Sequence, residues 1–245
     1  MNFVDIKKMF ILYAKKFDLK DKNIMRKFHH SFRVMEYSKE IAESINLSSS
    51  DVELATIIGL LHDIARFSQW TKYKTYRDSI SIDHGTLGAD ILEKMLVNVK
   101  DKDIILTAVK NHNKLEIESE LDERTLLFCK IIRDSDKLDI LREQGLILKD
   151  PIENINEKSI ECIYQKKLFD DKYYLQESDH IFRMLTFIYD FNFKYSYNFV
   201  LKNNIIENKI NLLESYSNEI EELENVKKEL LNYVNKKIEV EDEIC

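Results

Sequence analysis

An all-α fold is predicted for this chain by three observations: turn residues are scarce, apolar residues recur at helical spacing, and capping residues stand in front of those runs. Four Gly and one Pro in 245 residues are too few for the frequent tight turns of an all-β architecture. Hydrophobic residues make up 44% and charged residues 33%, which is enough apolar material for a core and excludes a disordered chain.

In chain order, Phe3, Ile6, Met9, Phe10, Tyr13 and Phe17 recur three and four apart, an amphipathic first helix that covers the core. A second helix is expected from an Asp21 N-cap to about Ser44. Its phase separates two neighbouring imidazoles. His30 aligns with Val34, Tyr37 and Ile41 and points inward, whereas His29 aligns with Arg33, Glu36 and Glu40 and points to solvent. Ser50 with Glu53 reads as a capping box that opens a buried helix running through Phe67. Between Leu54 and Ala65 of that helix, only Thr56, His62 and Asp63 are polar.

Residues 68–82 lack clear periodicity and are rich in aromatic and cationic side chains, so they read as a loop and suit a substrate-facing flap. Asp83, His84 and Gly85 then open a helix to about Val97, striped by Leu87, Ile91, Leu92 and Met95. The next spans about Asp101 to Asn113, with His112 stacked on Ala108 and Ile105. A long helix from about Asp122 to Glu143 carries Leu126, Cys129, Ile132, Asp136 and Ile140 on one side, with Gly145 as its stop.

Pro151 marks a seam between a domain of residues 1–150 and a C-terminal helical extension, 151–245, packed on it. The extension reads as a short helix near Asn156–Gln165, an aromatic-rich one near Ser178–Leu201 and a last helix striped by Ile220, Leu223, Val226, Leu230, Val234 and Ile238. His180 has no partner motif and reads as an ordinary surface or capping residue. The last stripe packs on the core or, in the alternative, forms a homodimer seam.

A net charge of −7 argues against an extended nucleic-acid partner and leaves room for a small phosphorylated ligand at a local positive site. Three Cys without CxxC spacing indicate neither a disulfide framework nor a structural zinc site. No run has the length of a membrane span or the order of a signal peptide, so no membrane partner and a cytoplasmic location are expected.

A buried histidine beside a buried aspartate needs hydrogen bonds, an ion pair or a metal to offset desolvation, and the pair alone does not choose among them. The full set is more informative. His30, His62, Asp63, His84, His112 and Asp136 offer four imidazoles and two carboxylates from five elements, the neutral nitrogens and anionic oxygens of a metal centre. Two ions sharing Asp63 would use all six: a first held by His30, His62, Asp63 and Asp136, a second by Asp63, His84 and His112.

The ordered motifs HSFRV at His30–Val34, LLHDIAR at Leu60–Arg66, DHGTLGA at Asp83–Ala89, NH at Asn111 and His112, and RDSDKLDIL at Arg133–Leu141 resemble the HD-domain metal-dependent phosphohydrolase superfamily. The series is similar to its two-metal branches, which include HD-GYP phosphodiesterases and bacterial dinucleoside tetraphosphate hydrolases. No GYP element is visible near the fourth motif. The resemblance implies an HD helical bundle, metal ligation by those six residues and hydrolysis of a phosphate ester or anhydride of a nucleotide by a metal-bound hydroxide. Asp63 and Arg66 are then the catalytic residues, and Arg66 stands where HD-GYP proteins carry a lysine. An arginine does not readily give up its proton, so phosphate clamping is its expected role. Arg33, Lys137, Tyr76 and Arg77 are further candidates for contacting substrate. Mixed nitrogen and oxygen ligands suit two divalent ions of iron, manganese, cobalt or nickel better than magnesium. The alternatives are an HD-fold ligand sensor or partner-binding protein with a non-catalytic metal site, and a single-metal 5′-nucleotidase-like enzyme.

Overall fold

Capping side chains and apolar stripes set where the helices begin and which way they face. The computed structural model describes residues 2–143 and 147–242, the side chains of the last two excepted. Gly145 and Cys245 lie outside the described residues. The chain divides into two compact units, Met1–Asp136 and Lys137–Cys245, with the division inside a long helix. Among the described residues there is no strand, only an isolated bridge between Ile152 and Ser217, so the fold is all-α. No helix among them is long and apolar enough to cross a membrane.

The first unit begins with α1 (Phe3–Ala14), where Asn2 and Asp5 make a reciprocal capping box. Its inward residues Ile6, Phe10 and Ala14 are fully buried. The Phe10 ring packs against Phe28, Phe32 and Phe67 at 5.8–5.9 Å, and burying a side chain of this size stabilises by about 1.5–3 kcal/mol. Helix α2 (Lys22–Ser44) starts where expected, because the Asp21 carboxylate accepts from the Asn23 N–H. His30 is buried and His29 exposed, as the phase requires.

Helix α3 (Ser49–Leu61) differs from expectation at both ends. Its cap is Ser48, not Ser50: Ser48 Oγ accepts from the Asp51 N–H and donates to the Asp51 carboxylate, while Glu53 accepts from the Phe3 N–H. Ser48 with Asp51 and Ser50 with Glu53 both satisfy the pattern, and only the surroundings choose one. The helix also stops at Leu61 rather than running to Phe67. His62 keeps the i−4 bond to Ile58, but Ile64 bonds Leu61 and Arg66 bonds Asp63, so the backbone tightens into an i−3 turn at the His-Asp pair. Helix α4 (Arg66–Tyr73) follows, which corrects the loop expected from residue 68. Its sequence hid it because Gln69, a polar residue, is fully buried on the inward face and breaks the apolar pattern.

An irregular stretch with a 3₁₀ turn at Asp78–Ile80 leads to α5 (His84–Met95), capped by Asp83. Then come α6 (Lys102–Asn111) and α7 (Glu123–Leu141). Arg124 ties the start of α7 to Asp51 at 2.7 Å and Asp101 at 2.8 Å. Further along, the buried Arg133 donates to the Leu115 carbonyl at 3.1 Å, beyond the end of α6. Within this unit α2 lies along α3, α5 along α6, and α3 also meets α1 and α6.

The second unit holds the end of α7 and α8 (Glu157–Tyr164), α9 (Ser178–Thr186), α10 (Lys194–Lys202), α11 (Ile205–Glu214) and α12 (Ile220–Asp242). The expected single aromatic helix from Ser178 to Leu201 is broken by a 3₁₀ turn at Phe187–Asp190 and extended backbone at Phe191 and Phe193. Tyr197 holds that break by donating to the Phe191 carbonyl at 2.9 Å. Helix α11 has no counterpart in the sequence reading, although Ile206, Ile210 and Leu213 carry its stripe. Asp179, fully buried, accepts from Ser159, Asn156 and the Leu175 and Gln176 N–H groups, fastening the start of α9.

Helices α2 and α3 approach each other closely at Gly59. A Cβ there would lie 2.9 Å from Met35 Cα and 2.9 Å from the Val34 carbonyl oxygen, both backbone atoms. Gly59→Ala is therefore expected to push the helices apart and cost about 1–3 kcal/mol, read as a lower urea midpoint at unchanged slope.

Candidate metal centre

The tight turn at His62–Ala65 lets neighbouring side chains with different directions share one site. His30 arrives from the inward face of α2, His84 from the first residue of α5, His112 from the end of α6 and Asp136 from α7. All six candidate ligands fall in the first unit, and they converge.

The Asp63 carboxylate divides them into two groups. Its Oδ2 lies 3.3 Å from His30 Nε2 and 3.6 Å from His62 Nε2, while Asp136 Oδ1 closes that side at 3.1 Å from His30 and 3.6 Å from His62. Its Oδ1 lies 3.4 Å from His84 Nε2 and 3.7 Å from His112 Nε2. Ligand atoms around one ion at about 2.1 Å are spaced by about 3.0–3.4 Å; the separations of 3.1, 3.3 and 3.4 Å fall in that range and those of 3.6, 3.6 and 3.7 Å lie just beyond it. His30, His62 and Asp63 form one group of metal-ligating atoms, His62, His112 and Asp136 a second, and Asp63, His84 and His112 a third.

Tautomers test whether the residues fit cations. His62 Nδ1 lies 2.8 Å from the Gly59 carbonyl, His112 Nδ1 2.6 Å from the Val109 carbonyl and His84 Nδ1 2.5 Å from Asp78 Oδ2. Carbonyl and carboxylate oxygens only accept, so each Nδ1 carries the proton and each Nε2 presents a lone pair. Yet His84 and His112 approach Nε2 to Nε2 at 3.0 Å, and His30 and His62 at 3.2 Å. Burial lowers the His62 pKa and pushes that of His84 down to about 3, with Arg66 adding to the effect at His84, so neither ring supplies a proton at neutral pH. The His84 and His112 lone pairs face each other, a contact that a cation between them would relieve, and the set fits divalent ions.

Burial would raise the Asp63 carboxyl, but Lys27 and Arg66 hold it well below the usual carboxylate range. His30, whose Nε2 lies 3.1 Å from Asp136 Oδ1, lowers the Asp136 carboxyl. Both are therefore anionic. Lys27 was not among the sequence candidates, although it stands three residues before His30 on the same face. It is buried, and its Nζ donates to Asp63 Oδ2 at 2.7 Å. Asp78, Gln69 and Asn113, which surround His84, were also missed.

The expected substrate contacts are arranged differently from one another. Arg66 is engaged by Asp63 Oδ1 at 3.2 Å, Gln69 at 2.7 Å, the Tyr76 carbonyl at 2.7 Å and Asp78 at 3.2 Å. Tyr76 donates to the Asn23 carbonyl and its ring stacks on Trp70, with Lys27 and Arg66 5.6 Å from the ring centre. Arg33 is half-buried on α2 and Arg77 exposed, while Lys137 belongs to the second unit and pairs with Asp190. His180, also in the second unit, is half-buried rather than on the surface.

The family model of the HD domain matches residues 28–141. Among solved structures, the chain is similar to the crystal structure of a predicted HD superfamily hydrolase from an uncultured Thermotogales bacterium, at 19% identity, covering 82% of this chain and 94% of that one, with a TM-score of 0.41. No curated protein matches the chain.

Metal-free protein given Co²⁺ or Mn²⁺ at a hundredfold excess over its Kd is expected to gain about 2.7 kcal/mol of stability, read as a raised melting temperature that a chelator reverses. In Asp63→Asn that gain should largely vanish.

Proposed function

We propose, from the premise that residues 28–141 of this chain are an HD domain, that the protein is a metal-dependent phosphohydrolase cleaving a phosphate ester or anhydride of a small nucleotide. The observation that carries this reading is the Asp63 carboxylate, one oxygen turned to His30 and His62 and the other to His84 and His112. His30, His62, Asp63 and Asp136 would hold one ion, and Asp63, His84 and His112 a second. Ions held there supply Lewis acidity toward water and phosphoryl oxygens.

The chain's own groups do the rest. Arg66 pins one Asp63 oxygen from the side, keeping the carboxylate aligned between the two histidine pairs. Among the described residues, the Lys27 ammonium donates to Asp63 alone, so two of its three N–H bonds are available to a phosphoryl oxygen in a site where water does not screen them. Lys27 therefore takes the phosphate-clamping role in this reading, and Arg66 a positioning one. The apolar walls of α3 and the buried histidines limit entry of bulk water. The nucleotide class is supported by the resemblance to nucleotide-cleaving branches of the family. A cytoplasmic location is supported by the free thiols of Cys129 and Cys162, which suit a reducing compartment.

Metal content and turnover test this directly. His62→Ala and Asp63→Ala are expected to lose both bound metal and phosphatase activity against mononucleotides, dinucleoside polyphosphates and cyclic nucleotides, while His29→Ala keeps both. Lys27→Gln should keep the metal and lose activity by about 100-fold. A metal-loaded wild type inactive on all three substrate classes would sink the hydrolase reading.

A further inference from the structure

The three imidazoles whose Nδ1 partner is resolved do not acquire their tautomer in the same way. His62 and His112 each donate Nδ1–H to the carbonyl three residues earlier in their own helix, Gly59 and Val109. Those contacts are local and last as long as the helix. His84, the first residue of α5, has no preceding helical turn to donate to. Its Nδ1–H goes to Asp78, six residues earlier, at 2.5 Å.

Asp78 sits on the irregular segment 74–83 and makes four contacts. Oδ2 takes His84 and Asn113 Nδ2, the latter at 2.9 Å; Oδ1 takes Gln69 Nε2 at 2.8 Å and Arg66 Nη1 at 3.2 Å. The segment is docked by other contacts: Gln69 also donates to Ser81 and Ile82, Arg66 to the Tyr76 carbonyl, and Tyr76 to the Asn23 carbonyl.

We propose that Asp78 is the positioning residue of the second cation site, holding His84 with its Nε2 lone pair toward Asp63 and His112, so that this site forms only while segment 74–83 is docked. The proposal rests on the two-ion reading above. It makes the two sites unequal: the first draws on α2, α7 and the turn after α3, whereas the second also depends on segment 74–83. Nucleotide or effector contacts that shift the segment would then change occupancy of the second site without touching a ligand.

Metal-free wild type, Asp78→Asn, Asp78→Ala and Tyr76→Ala are titrated with Co²⁺ alone, following stoichiometry and the visible d–d spectrum. Two ions are expected in the wild type. In the Asp78 variants the first should bind as before and the second about 10–100-fold more weakly. Asp78→Asn should be the more severe, because an amide N–H favours the tautomer that protonates Nε2. Tyr76→Ala should move the second ion in the same direction. A second ion as tight in Asp78→Asn as in the wild type overturns the proposal and leaves the two-ion reading intact, whereas a wild type that takes up one ion overturns both. Should the Asp78 variants fail to fold, long-range ¹H–¹⁵N spectra of the metal-free wild type decide it: a proton on His84 Nδ1 supports the proposal, a proton on Nε2 overturns it.

Discussion

The rest of the first unit depends on a carboxylate that water cannot reach. Asp63 is 2% exposed, and its desolvation is offset by the Lys27 ammonium at 2.7 Å and the Arg66 guanidinium at 3.2 Å. Removing one partner of a buried charge leaves the other uncompensated, at a cost of about 3–5 kcal/mol. That constraint explains why α2, α5 and α6 aim polar residues at one point, and why α3 gives way to a turn at this pair. Successive residues of a helix point about 100° apart, yet His62 Nε2 and Asp63 Oδ2 lie 3.6 Å from each other.

The buried polar network around the site is satisfied at its imidazoles, though Asn113 Oδ1 is buried without a hydrogen-bond partner. Each imidazole whose outer nitrogen is resolved spends it on an acceptor, leaving the inner nitrogen to face another across about 3 Å. Such an arrangement is unfavourable between neutral rings and would be favourable around cations. Asn113 illustrates the tolerance: Gly85 leaves room for its amide, since a Cβ there would lie 2.2 Å from Asn113 Oδ1.

Much of this was legible in the residues. His30 was separated from His29 by helical phase alone, because a stripe of Val34, Tyr37 and Ile41 can face only one way. The six convergent ligands were legible as charged or titratable residues on apolar faces. Lys27 shares the His30 face and was within reach of the same reasoning, but a lysine is ordinarily solvated, so its pattern carries little weight. Helix α4 escaped notice because Gln69 looks like a surface residue and is in fact satisfied by Asp78, Ser81 and Ile82. Asp78 had no signal at all, lying in a segment without periodicity.

By itself, then, the order of residues determined the helical class, the inward faces and the chemical identity of the ligands, because those follow from spacing along single helices and from which side chains tolerate burial. Only the tertiary structure decided where α3 ends, which oxygen of Asp63 faces which histidines, and that Lys27 and Asp78 complete the site. Those depend chiefly on distances between residues 21 to 106 positions apart in the chain, and helical periodicity carries no information about separations of that kind.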